Sequence, residues 1–152
     1  MPKDLVIIYT DGDCSPNPGT GGWGAVLISN QHNLRTEISG SEVDSTNNRM
    51  EMTAAIKALE ALKKPCKVEL YTDSSYVKNA FEKNWLRNWQ NNGWKSKGKK
   101  TIANKDLWLC LLEGSNKHEV SWHWVKGHSD NPENDRCDAL AVQARANLAK
   151  SN

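Results

Sequence analysis

Leu5-Val6-Ile7-Ile8-Tyr9-Thr10-Asp11 and Val68-Glu69-Leu70-Tyr71-Thr72-Asp73 are two apolar runs that finish on the same tripeptide, Tyr-Thr-Asp. Both are short, rich in β-branched and aromatic residues, and followed at once by Gly12 or Ser74, the pattern of a strand ending in a turn. If the two strands lie parallel and adjacent, Asp11 and Asp73 meet at one sheet edge, where open α/β sheets place their ligands. Taken singly, each aspartate reads equally well as a turn or helix N-cap residue. The repeated tripeptide is what argues for a shared site.

Outward from these strands the pattern alternates. A turn cluster is expected from Gly12 to Gly22, then strands over Trp23–Ser29 and Leu34–Gly40, forming a meander with the first. Thr46 to Leu62 has helical periodicity, with Ala55, Leu59 and Leu62 on one face and Pro65 beyond its end. A second helix is expected over Ser74–Lys83 and further helical turns around Asp106–Glu113. A last strand over Glu119–Val125 and a final helix from Pro132 to about Ala149 complete the chain. Three strands followed by strand–helix alternation predict an α/β (mixed α+β) fold, a five-stranded mixed sheet flanked by helices. At 152 residues the chain is read as one domain, 1–152, able to bury a core without disulfides or structural metal.

Glu51 falls four residues before Ala55 and eight before Leu59, on the face expected to be buried. Glutamate is rarely buried unless paired or bound to a cation, and Arg49, two positions away, faces elsewhere. Asp135 stands four residues before Ala139 and seven before Val142, which directs it towards the apolar side of the last helix. Four inward carboxylates without cationic partners repel one another. A hard divalent cation relieves that, and an oxygen-only set suits Mg²⁺ or Mn²⁺. Two such ions about 4 Å apart are the arrangement that activates water against a phosphodiester and stabilises the leaving oxygen. His128, in the loop before Asp135, is placed to shuttle a proton, although a lone loop histidine also reads as surface.

The net charge of +2 conceals an asymmetry. From Lys83 to Lys105 there are seven cations and no acid, interleaved with Trp85, Trp89 and Trp94. That combination suits a polyanion whose sugars and bases stack on aromatics. A solvated lysine-rich face over packed tryptophans explains the same residues. Cys14, Cys66, Cys110 and Cys137 form no C-x-x-C pair and are read as reduced thiols. The apolar run at Leu5–Ile8 is too short for an export signal or a membrane span, so a cytoplasmic protein with no membrane association is expected. There is no phosphate-loop, G-x-S-x-G or H-E-x-x-H motif, and no zinc-ligand spacing.

Several stretches resemble bacterial ribonuclease HI. They are Tyr-Thr-Asp-Gly at 9–12, Asn-Pro-Gly-Thr-Gly-Gly-Trp-Gly at 17–24, Thr-Asn-Asn-Arg-Met-Glu at 46–51 and Tyr-Thr-Asp-Ser at 71–74. Asn-Trp-x-x-Asn-Trp-x-x-x-Gly-Trp-Lys at 84–95, Trp-Val-Lys-Gly-His at 124–128 and Pro-Glu-Asn-Asp-Arg-Cys-Asp at 132–138 complete the set, in order along nearly the whole chain. The resemblance implies a ribonuclease H-like fold and an endonuclease that cuts the RNA strand of RNA–DNA hybrids, leaving 5′-phosphate and 3′-hydroxyl ends. It implies two Mg²⁺ ions during catalysis, with Mn²⁺ as a substitute. Asp11 would bridge them, Glu51 and Asp73 would hold one, Asp135 the other, and His128 would assist proton transfer or product release.

The same resemblance puts the Cys14 backbone, Asn17, Asn47 and Asn48 in a groove that reads 2′-hydroxyls and base edges. Thr46 and Asn104 would bind a DNA phosphate, Trp89 would pack on DNA sugars, and Lys95, Lys97, Lys99 and Lys100 would form a basic protrusion. The partner would be the hybrid alone, bound by a monomer. Three positions depart from the family pattern: Asp13 where Ser is common, Ser75 in place of a Gln that contacts the minor groove, and Asp44 where some members carry Arg. A catalytically silent binding module or a DNA-cutting nuclease of the same fold are the alternatives.

Overall fold

The computed structural model describes residues 3–95, 100–125 and 131–151. Three antiparallel strands come first, β1 (Leu5–Cys14), β2 (Gly19–Ser29) and β3 (Leu34–Ser45), followed by helix α1 (Asn47–Glu60). Then come β4 (Lys67–Thr72), α2 (Ser75–Glu82), α3 (Trp85–Asn91), α4 (Lys105–Lys117), β5 (Glu119–Trp124) and α5 (Pro132–Ser151). The sheet order is β3-β2-β1-β4-β5, with β1·β4 and β4·β5 parallel and the first three strands antiparallel. This is the expected five-stranded mixed sheet.

Alternation along β1 sorts its residues between the two faces. Val6, Ile8 and Thr10 are buried, and the first two join Val68, Leu70, Ala55, Leu59, Trp108 and Leu111 in one core. α1 packs on that face, while α5 packs on β1, β2 and β3. The expected Gly12–Gly22 turn is shorter than its composition suggested. β1 runs on to Cys14, and Gly12, Asp13 and Cys14 pair with Trp23, Gly22 and Gly21. The glycines serve close approach rather than turning. At Gly22 a Cβ would overlap the Ala141 carbonyl oxygen of α5, and at Gly12 one would overlap the Met50 carbonyl carbon of α1. Two helices therefore press on the two sides of this corner of the sheet.

Two caps and one ion network fix the helix entries. Thr46 is the N-cap of α1, its hydroxyl accepting from Arg49 N at 3.1 Å, and Ser74 caps α2 by accepting from Val77 N at 3.2 Å. Between β3 and α5, Arg35 bonds Glu133 at 2.7 Å and Glu37 at 2.8 Å, and Arg136 bonds Glu37 at 2.7 Å. β3 is an edge strand that ends in a bulge, where Asp44 takes a left-handed conformation with φ 52°. Among the described residues no helix is long and apolar enough to cross a membrane.

Candidate active site

The parallel register pairs Tyr9 with Tyr71, so Asp11 and Asp73, each two residues further on, arrive at the same end of the sheet. Their rings stack behind them, Tyr9 on Tyr71 at 4.9 Å between centroids and Tyr71 on His123 at 4.7 Å. His123 also pairs with Glu69. Asp11 lies inside β1 rather than at its end, whereas Asp73 directly follows β4. α1 supplies Glu51, one turn in from its N-terminus. Because Gly12 has no side chain, α1 approaches β1 closely enough for the Gly12 N–H to donate to both Asp11 Oδ1 (2.9 Å) and Glu51 Oε1 (3.0 Å).

Carboxylate oxygens of Asp11, Glu51 and Asp73 all lie within 4.8 Å of one another. Asp11 is 5% exposed and Glu51 9%. Glu51 Oε2 is buried with no hydrogen-bond partner among the described residues. Burial is the main cause that holds the Asp11 and Glu51 carboxyls well above the ordinary range; the charge of Asp73 adds to it at both, while the Gly12 N–H, and at Asp11 a hydrogen bond with Glu51, partly oppose it. A buried carboxylate oxygen with no donor is costly, and a divalent cation satisfies it while cancelling the repulsion. The donor set is all oxygen, so the three residues fit a hard metal ion.

These groups open into a cleft of about 360 Å³ whose acidic lining also includes Asp13, Asp135 and Asp138, with no Lys, Arg or His lining it among the described residues. Asp13 is answered from outside the lining by Arg145 of α5, Nε to Oδ2 at 2.8 Å. Asp135 corrects one expectation. It is exposed, as are Ala139 and Val142, and the buried side of α5 carries Asn134, Cys137 and Ala141. The α5 carboxylate whose charge bears on Asp11 is Asp138, three residues on and half-buried. Sequence reasoning missed it. The available signal was helical spacing: Asp138 follows Cys137, and the apolar Cys137–Ala141 pair marks the true inner face.

Around the cleft the other expected residues fall into two groups. Asn17, Asn47 and the Cys14 backbone are linked: Cys14 N donates to Asn47 Oδ1 at 2.7 Å, and Asn47 N donates to Asn17 Oδ1 at 3.2 Å. Asn47, Asn48 and Ser75 line the cleft directly. Thr46 and Asn104 are joined through Arg49, whose backbone N–H bonds Thr46 and whose Nη1 bonds Asn104 Oδ1 at 3.2 Å. Asp106 holds the same guanidinium through two bonds of 3.1 and 2.9 Å, and Asn104 sits in a left-handed conformation, φ 62°. Tyr76, which sequence reasoning left aside, lines the cleft and accepts from Asn104 Nδ2 and Trp108 Nε1, each at 3.3 Å.

Trp89 is half-buried among Trp85, Trp94 and Trp108, with ring centroids 6.0, 6.1 and 5.5 Å away, so packing accounts for much of this segment. Lys95 and Lys100 are exposed beside it. Lys97, Lys99 and His128 lie outside the described residues.

The family model for RNase H matches residues 3–146. A protein of Symbiobacterium thermophilum named Ribonuclease H is 59% identical over 141 residues, 93% of this chain and 95% of its own. Among solved structures, LC9-RNase H1, a type 1 RNase H with the type 2 active-site motif, is similar at a TM-score of 0.86 and 30% identity, covering 97% of this chain and 74% of that one. LC11-RNase H1, solved in complex with an RNA/DNA hybrid, shares the fold at a TM-score of 0.71 and 24% identity, covering 95% and 99%.

Proposed function

This chain belongs to the ribonuclease H family, and on that footing we propose that it hydrolyses the RNA strand of RNA–DNA hybrids internally, leaving 5′-phosphate and 3′-hydroxyl ends. The observation that carries the reading is the convergence of Asp11, Glu51 and Asp73 in a cleft where, among the described residues, one buried Glu51 oxygen has no hydrogen-bond partner and no cationic side chain lines the wall. We assign Asp11, Glu51 and Asp73 as ligands of Mg²⁺, with Mn²⁺ able to replace it and two ions engaged in turnover. Asp138, not Asp135, is the α5 ligand in this assignment, because it is half-buried in the cleft and its charge bears on Asp11, whereas Asp135 is exposed. Bound there, the cations supply Lewis-acid stabilisation of charge at a phosphodiester.

The protein's own groups do the rest. The Gly12 N–H holds Asp11 and Glu51 in a fixed mutual orientation, so neither carboxylate must reorganise when substrate enters. Asn17, Asn47, Asn48 and the Cys14 backbone flank the cleft on one side, where donors and acceptors can read 2′-hydroxyls. We assign Thr46 and Asn104, braced by Arg49, to a phosphate of the opposite strand, and Trp89, Lys95, Lys97, Lys99 and Lys100 to the backbone of the hybrid. Ser75 offers a hydroxyl at the cleft wall. His128 is assigned proton transfer or product release. The solved hybrid complex of LC11-RNase H1 supports the choice of partner. We further propose a cytoplasmic monomer of one domain, 1–152.

Cleavage of end-labelled hybrid, duplex DNA and duplex RNA in Mg²⁺ tests the reading. Internal cuts in the hybrid's RNA alone are expected. Efficient cutting of duplex DNA would replace it with a DNA nuclease, and tight hybrid binding without cutting would replace it with a binding module.

A further inference from the structure

Asp73 is the single residue between the end of β4 at Thr72 and Ser74, the N-cap of α2. Its carboxylate makes no hydrogen bond among the described residues, so its aim depends on how the backbone is held at that one position. Two bonds, from the last residue of β5 and the residue after it, hold it. Val125 N donates to Thr72 O at 2.9 Å, and the indole Nε1 of Trp124 donates to Asp73 O at 3.1 Å. The second bond comes from a side chain that is 45% exposed, a position where tryptophan has little to gain from burial. Its ring is held in turn by Lys78 of α2, whose Nζ lies 5.4 Å from the ring centroid and which also pairs with Glu82 at 3.5 Å.

We propose that Trp124 is a positioning residue for the metal site: its indole N–H fixes the Asp73 carbonyl, and so the aim of the Asp73 carboxylate, with Lys78 steadying the ring. A partner that orients a ligand's support acts on cation affinity rather than on substrate affinity. Trp124 touches neither cation nor substrate in this role. It closes a loop of contacts in which β5 and α2, which flank Asp73 in space, both grip the residue between them.

The inference rests on the reading that Asp73 is a metal ligand, and the experiment separates the two. Mn²⁺ and Mg²⁺ binding to the full chain is measured by calorimetry without substrate, for wild type, Trp124→Phe, Lys78→Ala and Asp73→Asn. Steady-state kinetics and metal-free thermal melts accompany it. Trp124→Phe keeps the aromatic ring and loses only the donor. It should weaken metal binding roughly three- to tenfold, the scale of one lost hydrogen bond acting through a ligand's support. kcat at limiting Mg²⁺ should fall in proportion and recover at high Mg²⁺, with KM for hybrid unchanged and the metal-free melting temperature within about 2 °C. Lys78→Ala should show a smaller loss in the same direction. Unchanged metal affinity in Trp124→Phe overturns the inference, as does a raised KM with metal affinity intact, which would make Trp124 a substrate contact. Wild-type metal binding by Asp73→Asn would instead overturn the assignment of Asp73 as a ligand.

Discussion

In the cleft, Asp11 and Glu51 are buried, aimed by a shared backbone donor, and crowded against Asp73, with no cationic side chain among the described lining residues. In the segment from Lys83 to Lys105 the arrangement is reversed. Lys83, Arg87, Lys95 and Lys100 stand in solvent, while the aromatic rings beneath them pack together around Trp108. Buried like charges raise the free energy of the folded chain and depend on ångström-scale placement. Exposed like charges cost little and act at a distance, through attraction to a polyanion that salt screens. The cleft should therefore govern turnover and the basic segment affinity, and each can be perturbed without the other.

The largest effect is expected in the cleft. Asp11→Asn, Glu51→Gln or Asp73→Asn should each reduce kcat by more than ~1,000-fold, since a lost ligand forfeits several kcal/mol of transition-state stabilisation. Asp11→Asn should also raise metal-free stability by about 0.5–2 kcal/mol by removing a carboxyl whose ionised form burial and neighbouring acids disfavour, read from urea melts in EDTA. Near-native turnover in Mg²⁺ would remove Asp11 from the machinery.

A sharper cut within the same region compares two carboxylates one helical turn apart. Asp138→Asn should lower kcat by ~100-fold or more, and Asp135→Asn by less than ~5-fold, since the first is half-buried with its charge bearing on Asp11 and the second is exposed. The reverse order in steady-state assays would restore Asp135 as the ligand.

In the basic segment, neutralising Lys95, Lys97, Lys99 and Lys100 together should raise KM with little change in kcat, because distant phosphate contacts bind ground state and transition state alike. The slope of log affinity against log salt should flatten by ~1–3 units. Hybrid binding titrated against salt in Ca²⁺ checks this, and parallel slopes would reduce the segment to a solvated face.

The smallest effect concerns pH. The folded carboxyls of Asp11 and Glu51 are raised, so above about pH 4, where unfolded carboxylates release their protons, the metal-free native state holds protons the unfolded chain has lost. That contribution is fully present at lower pH and disappears as pH rises through the folded pKa. Melting temperature in EDTA should therefore drift down between pH 5 and 8, and Asp11→Asn should flatten the drift. Glu37, lowered to about 2 by Arg136 and Arg35, and Asp106, lowered by Arg49, act in the opposite sense and only in acid, below that window. A wild-type curve flat from pH 5 to 8 would contradict the raised carboxyls.

The sequence announced the sheet and three of its acids well, for a local reason. A repeated Tyr-Thr-Asp at two apolar strand ends, and a glutamate on the apolar stripe of a helix, are signals that short-range periodicity carries. Gly12–Gly22 misled because glycines that admit α1 and α5 are indistinguishable by composition from glycines that turn. Asp135 misled because α5 also exposes Ala139 and Val142, which blurs its inner face. The bracing of Asn104 by Arg49 and Tyr76, and the grip of Trp124 on Asp73, join residues 28 to 55 apart in sequence, beyond any periodic pattern.

The charged lattice of Arg35, Glu37, Glu133 and Arg136 has a bearing on association as well as on the seating of α5. β3 is twelve residues long and borders the sheet, which leaves a row of backbone donors and acceptors open to strand addition by another chain. Alternating positive and negative side chains at Arg35 and Glu37, and the bulge at Asp44 that bends the far end away, make that border a poor template for a neighbouring copy. Neutralising Arg35 and Glu37 together would thus expose the chain to edge-to-edge aggregation while leaving Asp11, Glu51 and Asp73 in place.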